Sequence, residues 1–118
     1  MRPVFYILAA AAAFSGAPAL AEFAKIDDQS EFVKMVTGKE LKRPFVNLEV
    51  TADGQISGRG AAWPVTGNWT WENGYFCRDL YWGGDPLGYN CQEVKAKDNR
   101  IRFTSDQGQG DSAEFRLR

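Results

Sequence analysis

Beyond Leu41 the chain alternates between apolar and polar residues in short runs separated by turn residues, and ahead of them it takes helical spacing once. In "FVNLEVT" (45–51) Val46, Leu48 and Val50 share one face and Asn47 and Glu49 the other, the period-two signature of a half-buried strand. "ADG" (52–54) suits a three-residue hairpin loop with Gly54 left-handed. That loop predicts the pairs Val50–Ile56, Leu48–Gly58 and Val46–Gly60; a two-residue loop would instead turn Arg59 inward and Ile56 outward. "VTGNWTWE" and "YFCRDLYW" flank Asn73-Gly74, a strong type I′ turn signal that predicts Trp71 opposite Phe76, Trp69 opposite Arg78 and Gly67 opposite Leu80. Asp98-Asn99 predicts Ala96 opposite Ile101 and Val94 opposite Phe103. In "SAEFRLR" Ala113, Phe115 and Leu117 alternate with charged residues. "SDQGQGDS" between these runs reads as a mobile polar loop. The helical stretch is "DDQSEFVKMVTGKEL": Asp28 is placed as N-cap with Glu31 at capping-box spacing, Phe32, Val33 and Val36 form the apolar stripe, and Gly38 follows as the C′ residue. The pattern predicts a mainly β fold, an antiparallel meander of about seven strands curled into a small barrel or half-barrel, with one short N-terminal helix.

The first residues change the picture of where this fold works. Arg2, the apolar run Val4–Phe14 and the "ALA" at 19–21 read as a secretory signal peptide cut before Glu22, because the run is shorter than the roughly 20 residues a membrane span needs. Residues 22–118 are then expected to form a single antiparallel β domain, periplasmic or secreted, with no membrane span after cleavage. Two cysteines in an exported chain predict one disulfide, Cys77–Cys91, which closes a loop near 15 residues and contributes about 3 kcal/mol.

Composition then removes whole classes of chemistry. The chain has no histidine, so Ser-His-Asp and Cys-His catalysis in their ordinary forms and the common zinc sites lack a residue they need. A formal net charge of −1 gives no basic footprint for nucleic acid. Asp79, Asp85 and Glu93 do not make a calcium loop, and no catalytic residue, metal or cofactor is assigned. What stands out is Arg78, which the hairpin register sets on the face carrying Trp69, Trp71 and Trp82. Pairing Cys77 with Cys91 sets Asn90 and Gln92 beside it. Two readings stay open. In one, Arg78 belongs to a structural cluster with Asn90, Gln92 and a carboxylate such as Asp79 or Glu93. In the other, Arg78 meets a ligand anion, Asn90 and Gln92 supply directional hydrogen bonds, and the three indoles form walls. A three-residue loop at "ENG" would reverse the phase and remove the second reading. The loop "YWGGDPLGY" (81–89) is a further candidate, with Tyr81, Trp82 and Tyr89 available to stack on a sugar or peptide of an envelope partner; its glycines and Asp85-Pro86 are equally explained as a turn.

The stretch "GNWTWENGYFCRDLYWGGDPLGYNCQEV" followed by "NRIRFTS" resembles a group of short exported proteins from alphaproteobacteria, across nearly the whole chain after residue 21. More loosely it is similar to exported lipocalin-like domains with a helix, a "GK" turn, "DG", "G-x-W" and two cysteines. Members of the closer group sometimes carry the name dihydrodipicolinate reductase. That name implies a Rossmann domain with a glycine-rich nucleotide loop and a catalytic histidine and lysine, whereas this sequence has no G-x-G-x-x-G between a strand and a helix, and no histidine. The reading carried forward is a non-catalytic binder of a small amphiphilic or anionic ligand, with a protein-interaction or inhibitor module as the alternative and the reductase as the third.

Overall fold

Every strand pairing among the described residues is antiparallel, and the sheet closes on itself. A computed structural model describes residues 22–118; the proposed signal peptide, residues 1–21, lies outside them. The strands are β1 (Ala24–Lys25), β2 (Leu41–Arg43), β3 (Val46–Val50), β4 (Gln55–Gly60), β5 (Trp63–Glu72), β6 (Tyr75–Trp82), β7 (Asp85–Pro86), β8 (Asn90–Lys97), β9 (Arg100–Thr104) and β10 (Ser112–Leu117), with one helix, α1 (Gln29–Val36), and a four-residue helical turn, α2 (Ser105–Gly108). Eight of these strands form a closed barrel: β2 to β6 in order, β6 to β8, β8 to β10, and β10 back to β2. The two-residue strands β1 and β7 extend the free edges of β8 and β6. The ring is therefore complete rather than a half-barrel, with one strand more than the pattern predicts. The extra strand is β2. Its three residues are too few to display alternation, and it exists because β10 and β3 pair with it from both sides.

The turn residues set the registers expected of them. Val50 faces Ile56, Leu48 Gly58 and Val46 Gly60. Trp71 faces Phe76, Trp69 Arg78 and Gly67 Leu80 across a turn in which Asn73 and Gly74 both have positive φ (53° and 85°), as a type I′ turn requires. Val94 faces Phe103 and Ala96 Ile101. Gly58 serves close backbone approach rather than ring packing: a Cβ there would lie 2.0 Å from the Asn47 carbonyl oxygen. At Gly60 a ring does press in, and Trp82 Nε1 donates to the Gly60 carbonyl at 2.9 Å.

Helix α1 plugs one end of the barrel. Phe32 and Val36 are fully buried, and the Phe32 ring lies 5.1–6.3 Å from the rings of Trp69, Trp71, Phe76 and Phe103. Asp28 has the extended N-cap backbone, but its carboxylate accepts from the Ser30 hydroxyl and makes no cap bond, so the capping box is not formed. The helix is held by burial instead, with Trp71 Nε1 donating to the Asp27 carbonyl at 3.2 Å and Gly38 taking positive φ just beyond its end. The disulfide is Cys77–Cys91. It joins the middle pair of the three residue pairs through which β6 meets β8, the seam that closes the ring.

Candidate functional site

The β5–β6 hairpin and the β6–β8 seam together place Arg78. Its neighbours across the strands are Trp69 on one side and Asn90 on the other. Inward from it lies a pocket of about 170 Å³ at the middle of the barrel, lined by aliphatic and phenyl side chains from β2, β3, β4, β6, β9 and β10, among them Leu48, Ile56, Phe76, Leu80, Phe103, Ala113 and Phe115. Only two polar side chains, Arg78 and Gln92, reach this lining.

Arg78 is poorly served by the protein. Its Nη1 donates to the Gly88 carbonyl in the 83–89 loop at 2.5 Å. Its Nε is buried and has no partner among the described residues. No ion pair among the described residues includes it. Burial pushes its pKa below the ordinary arginine value, and the charge of Asp79 only partly opposes this. The internal polar cluster considered from sequence is not what the side chains form. Asn90 donates to Asp106 Oδ1 and accepts from the Asp106 backbone N–H, each at 2.8 Å, and Gln92 Nε2 donates to the Ser105 hydroxyl at 3.1 Å. Asp79 sits opposite Asn68, and the Glu93 carboxylate lies 3.9 Å from Lys95.

The remaining predicted wall residues are elsewhere. Trp69 is buried under the helix with its Nε1 donating to the Thr51 carbonyl at 2.9 Å, and Trp71 stacks on Phe32. Trp82 covers Gly60 at the rim and is 42% exposed. Alternation carries no information about depth along the barrel axis or exposure at the rim; the walls next to Arg78 are aliphatic and phenyl groups. Two partners went unseen in the sequence. The "SDQGQGDS" segment is an ordered turn, with Asp106 and Gln107 at φ 55° and 54°, pinned to Asn90 and Gln92. Gly88 supplies its carbonyl because the 83–89 loop folds back as a turn, Gly83 N–H on the Pro64 carbonyl and Leu87 N–H on the Leu80 carbonyl. The only sequence signal was an Asp in a Gly-rich stretch, tolerant of the left-handed region.

Among the described residues six large apolar side chains are well exposed: Phe45, Trp63, Tyr81, Trp82, Leu87 and Tyr89. All lie on the turns and strand ends remote from α1. Among the described residues no group of three or more Asp, Glu or Cys is arranged to hold a metal ion, and no helix is long and apolar enough to cross a membrane. Compared with protein-family models, with curated proteins and with solved structures, the chain matches none.

Proposed function

We propose that this exported β-barrel is a non-catalytic binder of a small anionic amphiphile, held inside the barrel with its anionic head on Arg78 and its apolar body toward Phe76, Phe103 and Phe115. The observation that carries the reading is the half-buried guanidinium in an otherwise apolar lining, its Nε unpartnered among the described residues and no carboxylate paired with it. A buried donor without a partner costs roughly 1–3 kcal/mol, more when the group is charged, and an incoming carboxylate would supply both acceptor and counter-charge. Gln92 is the second polar contact. Asn90, committed to Asp106, acts by fixing the turn at the pocket's edge. A pocket of about 170 Å³ limits the ligand. An apolar cavity of roughly 150 Å³ accepts benzene, so a single ring or short branched chain fits, and a longer tail would leave through the end away from α1. The test is calorimetric titration with benzoate and hexanoate, and with neutral benzamide, into wild type and Arg78→Met. Wild type should prefer the carboxylates, and the variant should lose that preference by about tenfold or more, the value of one charged hydrogen bond. Equal carboxylate affinity in both proteins would end this reading.

A second reading has its own observation. The exposed side chains Tyr81, Trp82, Leu87 and Tyr89 gather around the 81–89 loop, as a docking surface for an envelope protein would require. It needs no carboxylate binding, so the same titration separates the two. The reductase implied by resemblance has the least support, because the chain contains no histidine to carry the chemistry of that name.

A further inference from the structure

We infer that the outside of the barrel carries a second site, an open basic cleft across β9, β10 and β2 that takes a multivalent oxyanion of the phosphate class. Its basic row lies on the other face of the sheet from the interior pocket, with which the cleft shares only the Phe115 ring, and it does not rest on the reading of Arg78.

The cleft comes from strand register. Lys97 stands opposite Arg100, Arg100 opposite Arg116, Arg116 opposite Lys42, Lys42 opposite Asn47, and Asn47 opposite Arg59. Six strands thus present five cations and one amide in a line, with neighbouring strands about 4.8 Å apart. Like charges directly opposite one another destabilise a sheet. A chain with a net charge of −1 has no general excess of cations to dispose of, yet it concentrates them here. Apart from Lys97 with Arg100 and Lys42 with Asn47, neighbours in this row are distant in sequence, which is why the linear charge pattern shows no basic stripe and the folded surface does.

Over the row lies a cleft of about 420 Å³ lined by Lys42, Arg43, Arg100, Glu114, Arg116 and Arg118, with Pro44 and Phe115. Its carboxylate is already committed: Glu114 bridges Arg100 at 2.8 Å and Arg102 at 3.2 Å. Glu40 lies 3.5 Å from Lys42. Arg43 and Arg116 are in no ion pair among the described residues. Arg43 rests against the Phe115 ring, its guanidinium 5.7 Å from the centroid. Planar guanidinium forks match phosphate oxygens two at a time, and several cations at strand spacing suit a multivalent anion better than a lone carboxylate. The anion would relieve the repulsion that the register builds in. The same chemistry is offered by a free polyphosphate and by phosphate headgroups on a lipid surface.

The experiment uses wild type and Arg116→Gln, with Lys42→Gln as a second exposed variant. Thermal unfolding is followed in low salt, then with inorganic pyrophosphate against sodium chloride at matched ionic strength. Co-flotation with vesicles of phosphatidylglycerol and phosphatidylcholine in equal parts, against phosphatidylcholine alone, forms the second arm. Arg116→Gln should be more stable than wild type in low salt, because a cation facing both Arg100 and Lys42 is gone, whereas Lys42→Gln also gives up its ion pair with Glu40. Each should also bind pyrophosphate about tenfold more weakly. A pyrophosphate response without vesicle binding assigns the site to a free anion; vesicle binding that the variants lose assigns it to a headgroup. Pyrophosphate acting only through ionic strength in all three proteins, with vesicle capture absent or insensitive to Arg116, would overturn the site.

Discussion

Replacing both cysteines, Cys77→Ala with Cys91→Ala, tests how the barrel stays shut. The β6–β8 junction of the ring holds three residue pairs, where β5 and β6 share eight and β8 and β9 share five; only β10–β2, with two, is shorter. The disulfide occupies the middle of the three. Its loop spans a sequence separation of 14, so the loss of loop-closure entropy in the unfolded chain corresponds to about 3 kcal/mol. For a domain of 60–100 residues each kcal/mol moves the melting temperature by roughly 4–8 °C, so the double variant should melt about 12–24 °C lower. The location of the damage is the sharper expectation. Because the unfolded-state term acts on the whole domain while the seam is short, amides of Phe76–Arg78 and Asn90–Gln92 should lose native-state hydrogen-exchange protection ahead of those in the β3–β4–β5 hairpins. The assays are a thermal melt under non-reducing conditions and exchange read by mass spectrometry. A fall of less than about 4 °C, or loss of protection spread evenly over all strands, would refute the idea that this bridge staples the closing seam.

Three further outcomes follow from the packing and the charges. Phe32→Ala removes a fully buried ring in contact with four others and should cost about 3–5 kcal/mol, read as a lowered urea midpoint with Trp69 and Trp71 emission shifted to the red. Ala113→Leu directs extra methylene groups into the interior pocket at about 0.8 kcal/mol each; a raised melting temperature together with lost benzoate binding is expected, and destabilisation would mean that the pocket has no such room. Hydrogen bonding from Arg100, joined by Arg102, holds the Glu114 carboxyl below its ordinary pKa. A depressed carboxylate pKa adds stability that is present above the unfolded value and is lost as the pH falls through the folded one, so Glu114→Gln should melt lower than wild type at neutral pH and the gap should close below the ordinary glutamate range. Solvent screening at this exposed pair keeps the gap small.

The sequence was most legible where a local rule overdetermined the answer. Asn73-Gly74 and Gly54 set turn geometry, turn geometry set register, and register set which side of the sheet Arg78 occupies. It was least legible where a residue's fate depended on elements far away in the chain. β2 has too few residues for a pattern of its own. Trp69 and Arg78 sit directly opposite each other, yet one is sealed under α1 and the other reaches the pocket, because the position of the helix along the barrel is decided by Phe32 and Val36 meeting rings from several strands. Asp106 fixes Asn90 from 16 residues away by adopting a left-handed backbone that its own residue type merely tolerates.

The two ends of the barrel obey different rules. At the helix end the interior is filled by stacked rings, each indole N–H finds a carbonyl, and the helix terminates on a glycine of suitable φ. The other end departs from what stability alone would select. Beyond the rings, at the middle of the barrel, a guanidinium lines an apolar pocket with its Nε unpartnered among the described residues. Phe45 is 86% exposed at a φ of 65°, a left-handed conformation that bulky residues rarely adopt. Each departure costs stability, and sequences under selection for folding alone tend to remove such costs; their position away from the plugged end supports the proposed binding site. The closed ring, the helix plug and the disulfide seam supply stability against these costs.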